Sequence, residues 1–153
     1  MHELPAAGTN VLFDVWLVYR ATAGVLDGAL APSGLSADEF GLYSVLTSAD
    51  ALTPSELARW MAAPATTVSS YVKRLERRGH VKRIANPRDG RSYLLSLTPS
   101  GRRAHRAAVD AFIPVLARVV RALGPSEASV RQGLASLRAA LDASHSDDDP
   151  RAR

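Results

Sequence analysis

The sequence predicts a mainly α-helical chain with one small β-wing, a winged helix-turn-helix flanked by helices at both ends. Three observations lead there. Helical periodicity runs through most of the 153 residues, two short β-branched and aromatic runs lie between Gly79 and Thr98, and basic charge is gathered around those runs. Between Arg59 and Arg106 stand twelve Lys or Arg against two acids, Glu76 and Asp89, a net +10 in a chain whose total is +4. The rest is therefore net acidic, and a phosphate backbone is the usual partner of such a block.

Asn10 to Leu30 reads as the first helix. Leu12, Val15, Trp16, Tyr19, Ala23 and Leu26 recur at helical spacing, with further apolar residues that call for a second wall, which a partner subunit would supply. Pro32-Ser33-Gly34 breaks it. Ser36 to Glu39 is a capping box opening a helix with Phe40, Tyr43, Val45 and Leu46. Thr53-Pro54-Ser55-Glu56 is a second capping box, opening a short helix to about Met61. Pro64 to Arg78 is the next helix, stopped by Gly79.

Val81 to Ile84 and Tyr93 to Leu97 are the strands, joined by Asn86-Pro87-Arg88-Asp89-Gly90-Arg91, with Asp-Gly a typical hairpin turn pair. Thr98-Pro99 caps a helix to about Leu123, which Pro114 is expected to kink or divide near Asp110 to Ile113. A final helix spans about Pro125 to Ala143, and Ser144 onward reads as a frayed polar end. The expected organisation is a dimerisation helix over 1–35, the winged helix over 36–98, C-terminal dimerisation helices over 99–145 and a flexible tail over 146–153.

The bulk numbers exclude several classes. Hydrophobic residues make up 46% of the chain, an ordinary globular share, yet no run of eighteen or more apolar residues reads as a membrane span. The start lacks the pattern of a secretory signal, so a cytoplasmic protein is expected. The absence of cysteine excludes disulfides and thiolate chemistry. His2, His80, His105 and His145 are scattered without metal-ligand spacing. No nucleophile with a base, phosphate-cradling glycine loop or paired catalytic carboxylate is present, so neither enzymatic activity nor a cofactor is expected.

On the helix from Pro64 to Arg78, Val68, Val72 and Leu75 form the core stripe at i, i+4 and i+7. Thr66, Thr67, Ser69, Ser70, Lys73, Arg74 and Arg77 fall largely off it. Hydroxyls in the first turns reach base edges or phosphates, and Lys or Arg later on bind phosphate or guanine. Alone, this helix is equally a solvated basic face, and the wing is what tips the reading. Arg88 and Arg91 flank Asp89-Gly90 at the hairpin tip, and a guanidinium on a thin loop suits a narrow A·T-rich minor groove. Asp89 is expected to pair with a neighbouring arginine and fix the tip.

Leu57-Ala58, Thr67-Val68-Ser69, Leu75-Glu76-Arg77-Arg78-Gly79, Arg83, and Asp89-Gly90-Arg91 leading into Leu97-Thr98 resemble the multiple antibiotic resistance regulator (MarR) family. The resemblance covers nearly the whole chain. It implies a homodimer in which the first and last two helices intertwine and each winged helix reads half of a pseudo-palindromic double-stranded DNA operator. By position, Arg91 enters the minor groove beside Asp89, and Thr66, Ser69, Ser70, Lys73 and Arg74 lie on the major-groove helix. His80 departs from the aliphatic residue common in the family, and Trp60-Met61 is bulkier than its usual small polar turn.

The resemblance also implies a small phenolic or carboxylate effector. Trp16, Tyr19, Arg20, Phe40 and Tyr43 are the candidate residues, offering aromatic walls and one cation. The same spacing also describes ordinary core aromatics. The expected function is a dimeric transcription regulator, a repressor relieved by such a ligand. The alternatives are a winged helix that docks an acidic protein, and a DNA binder without an effector.

Overall fold

The structure, a computed structural model, describes residues 10–147. The tails at 1–9 and 148–153, including His2 and most of the expected flexible end, lie outside the described residues. Helix α1 (Val11–Leu30) opens at Asn10, whose Oδ1 accepts the backbone N–H groups of Leu12 and Phe13 at 3.0 and 3.1 Å. A 3₁₀ turn at Ala31–Ser33 leads to α2 (Ala37–Ala49). The Ser36 hydroxyl accepts the Glu39 N–H and Glu39 accepts the Ser36 N–H, each at 3.2 Å. Thr53 and Glu56 repeat the reciprocal cap at the start of α3 (Pro54–Trp60).

Helix α4 (Ala65–Arg77) follows a turn at Met61 to Pro64. Two helix ends close in the same way. After α4 the N–H of His80 reaches the Leu75 carbonyl and that of Gly79 the Glu76 carbonyl, with Gly79 at φ +69°. After α3 the N–H of Ala63 reaches Ala58 and that of Ala62 reaches Arg59, with Ala62 at φ +47°. Both are Schellman ends, which place one residue in the left-handed region, and only the first uses glycine there.

Strands β1 (Val81–Ala85) and β2 (Tyr93–Leu97) pair antiparallel, Val81 opposite Leu97 and Ala85 opposite Tyr93. Leu52 adds a one-residue bridge to Leu95, exchanging hydrogen bonds of 3.2 and 2.7 Å, which the sequence reading missed. The Asp-Gly pair does not form a two-residue hairpin turn. The connection runs through two successive turns, Asn86 to Asp89 and Asp89 to Ser92, and Gly90 keeps a negative φ because no residue there needs the left-handed region.

Helix α5 (Pro99–Leu123) is capped by Thr98, whose hydroxyl accepts the Gly101 N–H at 3.1 Å. It is not divided at Pro114. The proline removes one intrahelical donor, and the helix continues for nine residues beyond it. A 3₁₀ turn at Gly124–Ser126 precedes α6 (Glu127–Asp147), which starts two residues later and ends four residues later than expected.

The chain forms two compact units, one ending at Val115 and one beginning at Leu116. The core lies in the first. Leu42, Tyr43 and Leu46 of α2, Leu57 of α3, Val68, Val72 and Leu75 of α4, and Leu95 and Leu97 of β2 are buried there with Leu30, Leu35 and Ala108. Helix α1 joins this core through Leu26 and Leu30, while Val11, Leu12, Trp16, Val18 and Tyr19 are all more than half exposed. In the second unit Leu116, Val119, Val130 and Leu134 are exposed as well.

Candidate nucleic-acid interface

Burial of Val68, Val72 and Leu75 turns the opposite face of α4 to solvent, so Thr66, Thr67, Ser69, Ser70, Lys73 and Arg77 are exposed. No side chain caps α4 at Pro64. Among the described residues the N–H groups of Ala65, Thr66 and Thr67 have no acceptor, as is usual for the first turn of a helix. Donors, two threonine hydroxyls and the positive end of the helix dipole therefore share this end, a combination that suits phosphate.

Arg74 is placed differently from the other candidates. Its Nε stands 2.8 Å from Glu39 Oε1 and is shielded from solvent. The N–H is not aligned as a hydrogen bond, so the contact is a charge pair. Its guanidinium also lies over the Tyr71 ring, 4.8 Å from the centroid. Arg78 reaches the same carboxylate at 3.2 Å. Glu39 is only 3% exposed, and this convergence of two arginines on one buried acid was not read from the sequence. The i, i+4 spacing of Arg74 and Arg78 is the signal of a shared partner.

The wing holds its own tip. Asn86 Oδ1 accepts the Arg88 N–H at 3.0 Å, Asp89 Oδ1 accepts the Arg91 N–H at 3.0 Å, and Asn86 Nδ2 donates to Ser92 Oγ at 2.7 Å. Asp89 thus fixes the tip through a backbone N–H rather than through a guanidinium. Among the described residues neither Arg88 nor Arg91 has a carboxylate within ion-pair reach, and both are exposed. Arg83 binds Glu76 of α4 with both ends of its fork, at 2.7 and 3.1 Å, and covers the Tyr93 ring at 4.5 Å, which ties β1 to α4.

The five effector candidates divide between exposed and packed positions. Trp16, Tyr19 and Arg20 stand exposed on α1. Phe40 packs on Phe112 and His105, with ring centroids 5.4 and 5.7 Å apart. Tyr43 is fully buried, and its hydroxyl is 2.6 Å from His80 Nδ1. Burial, followed by the Glu39 charge, pushes that phenol up to about 12. A pocket of about 400 Å³ opens beside Ser44, Val45, Ser48, Ala49 and Trp60. No group of three or more metal-ligating side chains comes together among the described residues. No helix among them is long and apolar enough to cross a membrane.

A three-helix core, a helix with a free polar face and a self-bonded wing define a winged helix-turn-helix protein. The MarR family's sequence model matches residues 33–92. An HTH-type transcriptional repressor of Mycobacterium bovis is 30% identical over 126 residues, covering 80% of this chain and 91% of its own length. The multiple antibiotic resistance protein MarR of Salmonella typhimurium is 28% identical over 87 residues, which span 57% of this chain and 60% of that relative. Among solved structures, the Mycobacterium tuberculosis transcriptional regulator MOSR in complex with DNA superposes with a TM-score of 0.77 at 30% identity, covering 88% of this chain and 98% of that one. The chain belongs to the MarR family.

Proposed function

We propose that the chain is a homodimeric, sequence-specific DNA-binding transcription regulator, acting as a repressor that a small aromatic or carboxylate ligand releases. The observation that carries this reading is the pairing of a polar face of α4, with no side-chain cap at its start, with Arg88 and Arg91. These are two exposed guanidinium groups that have no carboxylate within ion-pair reach among the described residues and stand on a hydrogen-bonded tip. The likeness to a regulator solved with DNA and to a named repressor supports it. The apolar exposure of α1, with Leu12 at 56%, Trp16 at 53% and Tyr19 at 61%, supports a second copy as the missing wall. Under this reading Thr66, Thr67, Ser69 and Ser70 read the major groove, Lys73 and Arg77 bind phosphate, and Arg88, Asp89 and Arg91 form the minor-groove probe.

The test is fluorescence-anisotropy binding to duplexes selected from random sequence, at two salt concentrations, with Arg91→Ala alongside. Tight, salt-sensitive binding that the variant loses while its oligomeric state is unchanged supports the reading. Indifference to every duplex overturns it in favour of an acidic protein partner. Effector release is tested by a thermal-shift screen with aromatic acids, because a ligand of the folded state raises the melting temperature.

A further inference from the structure

The first turn of α2 holds one face of α4. The Tyr71 hydroxyl donates to Asp38 Oδ2 at 2.6 Å, Arg74 Nε lies 2.8 Å from Glu39 Oε1, and Arg78 Nη1 donates to Glu39 at 3.2 Å. Tyr71, Arg74 and Arg78 fall at i, i+3 and i+7, a single stripe along the helix. Glu39 itself is buried and also closes the Ser36 cap. A carboxylate out of water requires charge partners, and removing one of them leaves an uncompensated charge. Glu39 therefore engages Arg74 before any DNA arrives. Lys73 and Arg77, on the neighbouring stripe, are exposed and have no carboxylate within ion-pair reach among the described residues.

Resting on the DNA-binding reading above, we infer that Glu39 fixes the recognition helix on α2 through Arg74 and Arg78. These two arginines position the helix and do not bind phosphate. The helix's sequence-independent contacts come from Lys73 and Arg77. Glu39 is thus a positioning residue for base reading, and the basic block is smaller as an electrostatic surface than its charge count.

The experiment is a salt titration of binding to the selected duplex and to a random duplex, with the whole 153-residue chain. The slope of log affinity against log salt counts phosphate contacts at about 0.9 each. Lys73→Ala is expected to flatten that slope by about two per dimer, one contact in each subunit. Arg74→Ala is expected to weaken binding to the selected duplex tenfold or more with the wild-type slope intact. Glu39→Gln keeps the cap but not the charge. It is expected to lower affinity for the selected duplex while leaving that for the random duplex unchanged or higher. The Glu39→Gln/Arg74→Ala pair should lose no more than Arg74→Ala alone.

A slope flattened as much by Arg74→Ala as by Lys73→Ala overturns the inference. So does a parallel loss on both duplexes in Glu39→Gln, the mark of general structural damage. Melting curves identify a variant that fails to fold, and Arg78→Ala, which reaches Glu39 from the next turn, then takes the place of Arg74→Ala. A wild-type chain that selects no duplex overturns the DNA-binding reading itself, an outcome distinct from normal wild-type binding with a flattened Arg74→Ala slope.

Discussion

The Tyr43 hydroxyl and His80 Nδ1 meet at 2.6 Å across 37 residues of sequence, joining the middle of α2 to the residue just after the glycine that stops α4. His80, which stands where the family commonly has an aliphatic side chain, is thereby the partner of a fully buried phenol. Tyr43→Phe and His80→Leu are each expected to lower unfolding free energy by about 1–3 kcal/mol, since each leaves a polar atom without its partner. The double variant should lose less than the sum of the two, by at least about 0.5 kcal/mol in a denaturant cycle. Additive losses would show that the hydrogen bond contributes nothing.

The same phenol sets an alkaline limit. Its folded pKa of about 12 lies above the ordinary 10.0, so the folded state favours the neutral form. The stability this supplies is complete below pH 10 and declines as pH rises through 10 toward 12. Unfolding midpoints measured across that window should fall more steeply for the wild type than for Tyr43→Phe.

His105 sets an acidic one. Its ring lies between the hydroxyls of Ser44 and Thr47, at 3.1 and 3.2 Å, and burial lowers its pKa below 6.5. The unfolded chain therefore takes up a proton that the folded chain refuses, and stability is lost as pH falls below 6.5. His105→Gln should flatten the dependence of the melting temperature on pH between neutral and mildly acidic buffer. An unchanged profile would place the titrating group elsewhere.

Gly101 and Gly90 should respond differently to the same substitution. A Cβ on Gly101 would overlap the His80 carbonyl oxygen, which accepts the Thr98 N–H at 2.9 Å at the base of the wing. A Cβ on Gly90 meets nothing within 4 Å. Gly101→Ala is expected to destabilise by about 1–3 kcal/mol as α5 is pushed off the sheet. Gly90→Ala should stay within about 0.5 kcal/mol of wild type. Calorimetric melting of the pair distinguishes them.

The two Schellman ends make a reciprocal prediction. Ala62 holds φ +47° where glycine is favoured, and Gly79 holds φ +69°. Ala62→Gly is expected to stabilise by about 0.5–1 kcal/mol and Gly79→Ala to destabilise by about 1 kcal/mol or more, both read from urea midpoints.

The features legible in the sequence were local. Ser36 with Glu39 and Thr53 with Glu56 announced their helices because a reciprocal cap is complete within four residues. Val68, Val72 and Leu75 disclosed the buried side of α4, and hence its open side, through helical period alone. What escaped depended on partners far along the chain. Glu39 reads as a capping residue, and nothing near it indicates that Arg78, 39 positions on, completes its charge. Leu52 carries no strand pattern because its single bridge is set by Leu95. Tyr43 fits an aromatic ligand wall as well as a core position, and only packing decides that its ring faces His105 at 6.4 Å and its hydroxyl His80.

The double duty of Glu39 bears on how the winged helix comes apart. One carboxylate closes the first turn of α2 and receives two arginines of α4. If α2 frays at its start, α4 loses its anchor, and if α4 lifts away, a bare charge is left under the α2 cap. The two helices therefore open as one cooperative unit. Their backbone amides should exchange with solvent deuterium at a common free energy, with α4 no more labile than the helix behind it.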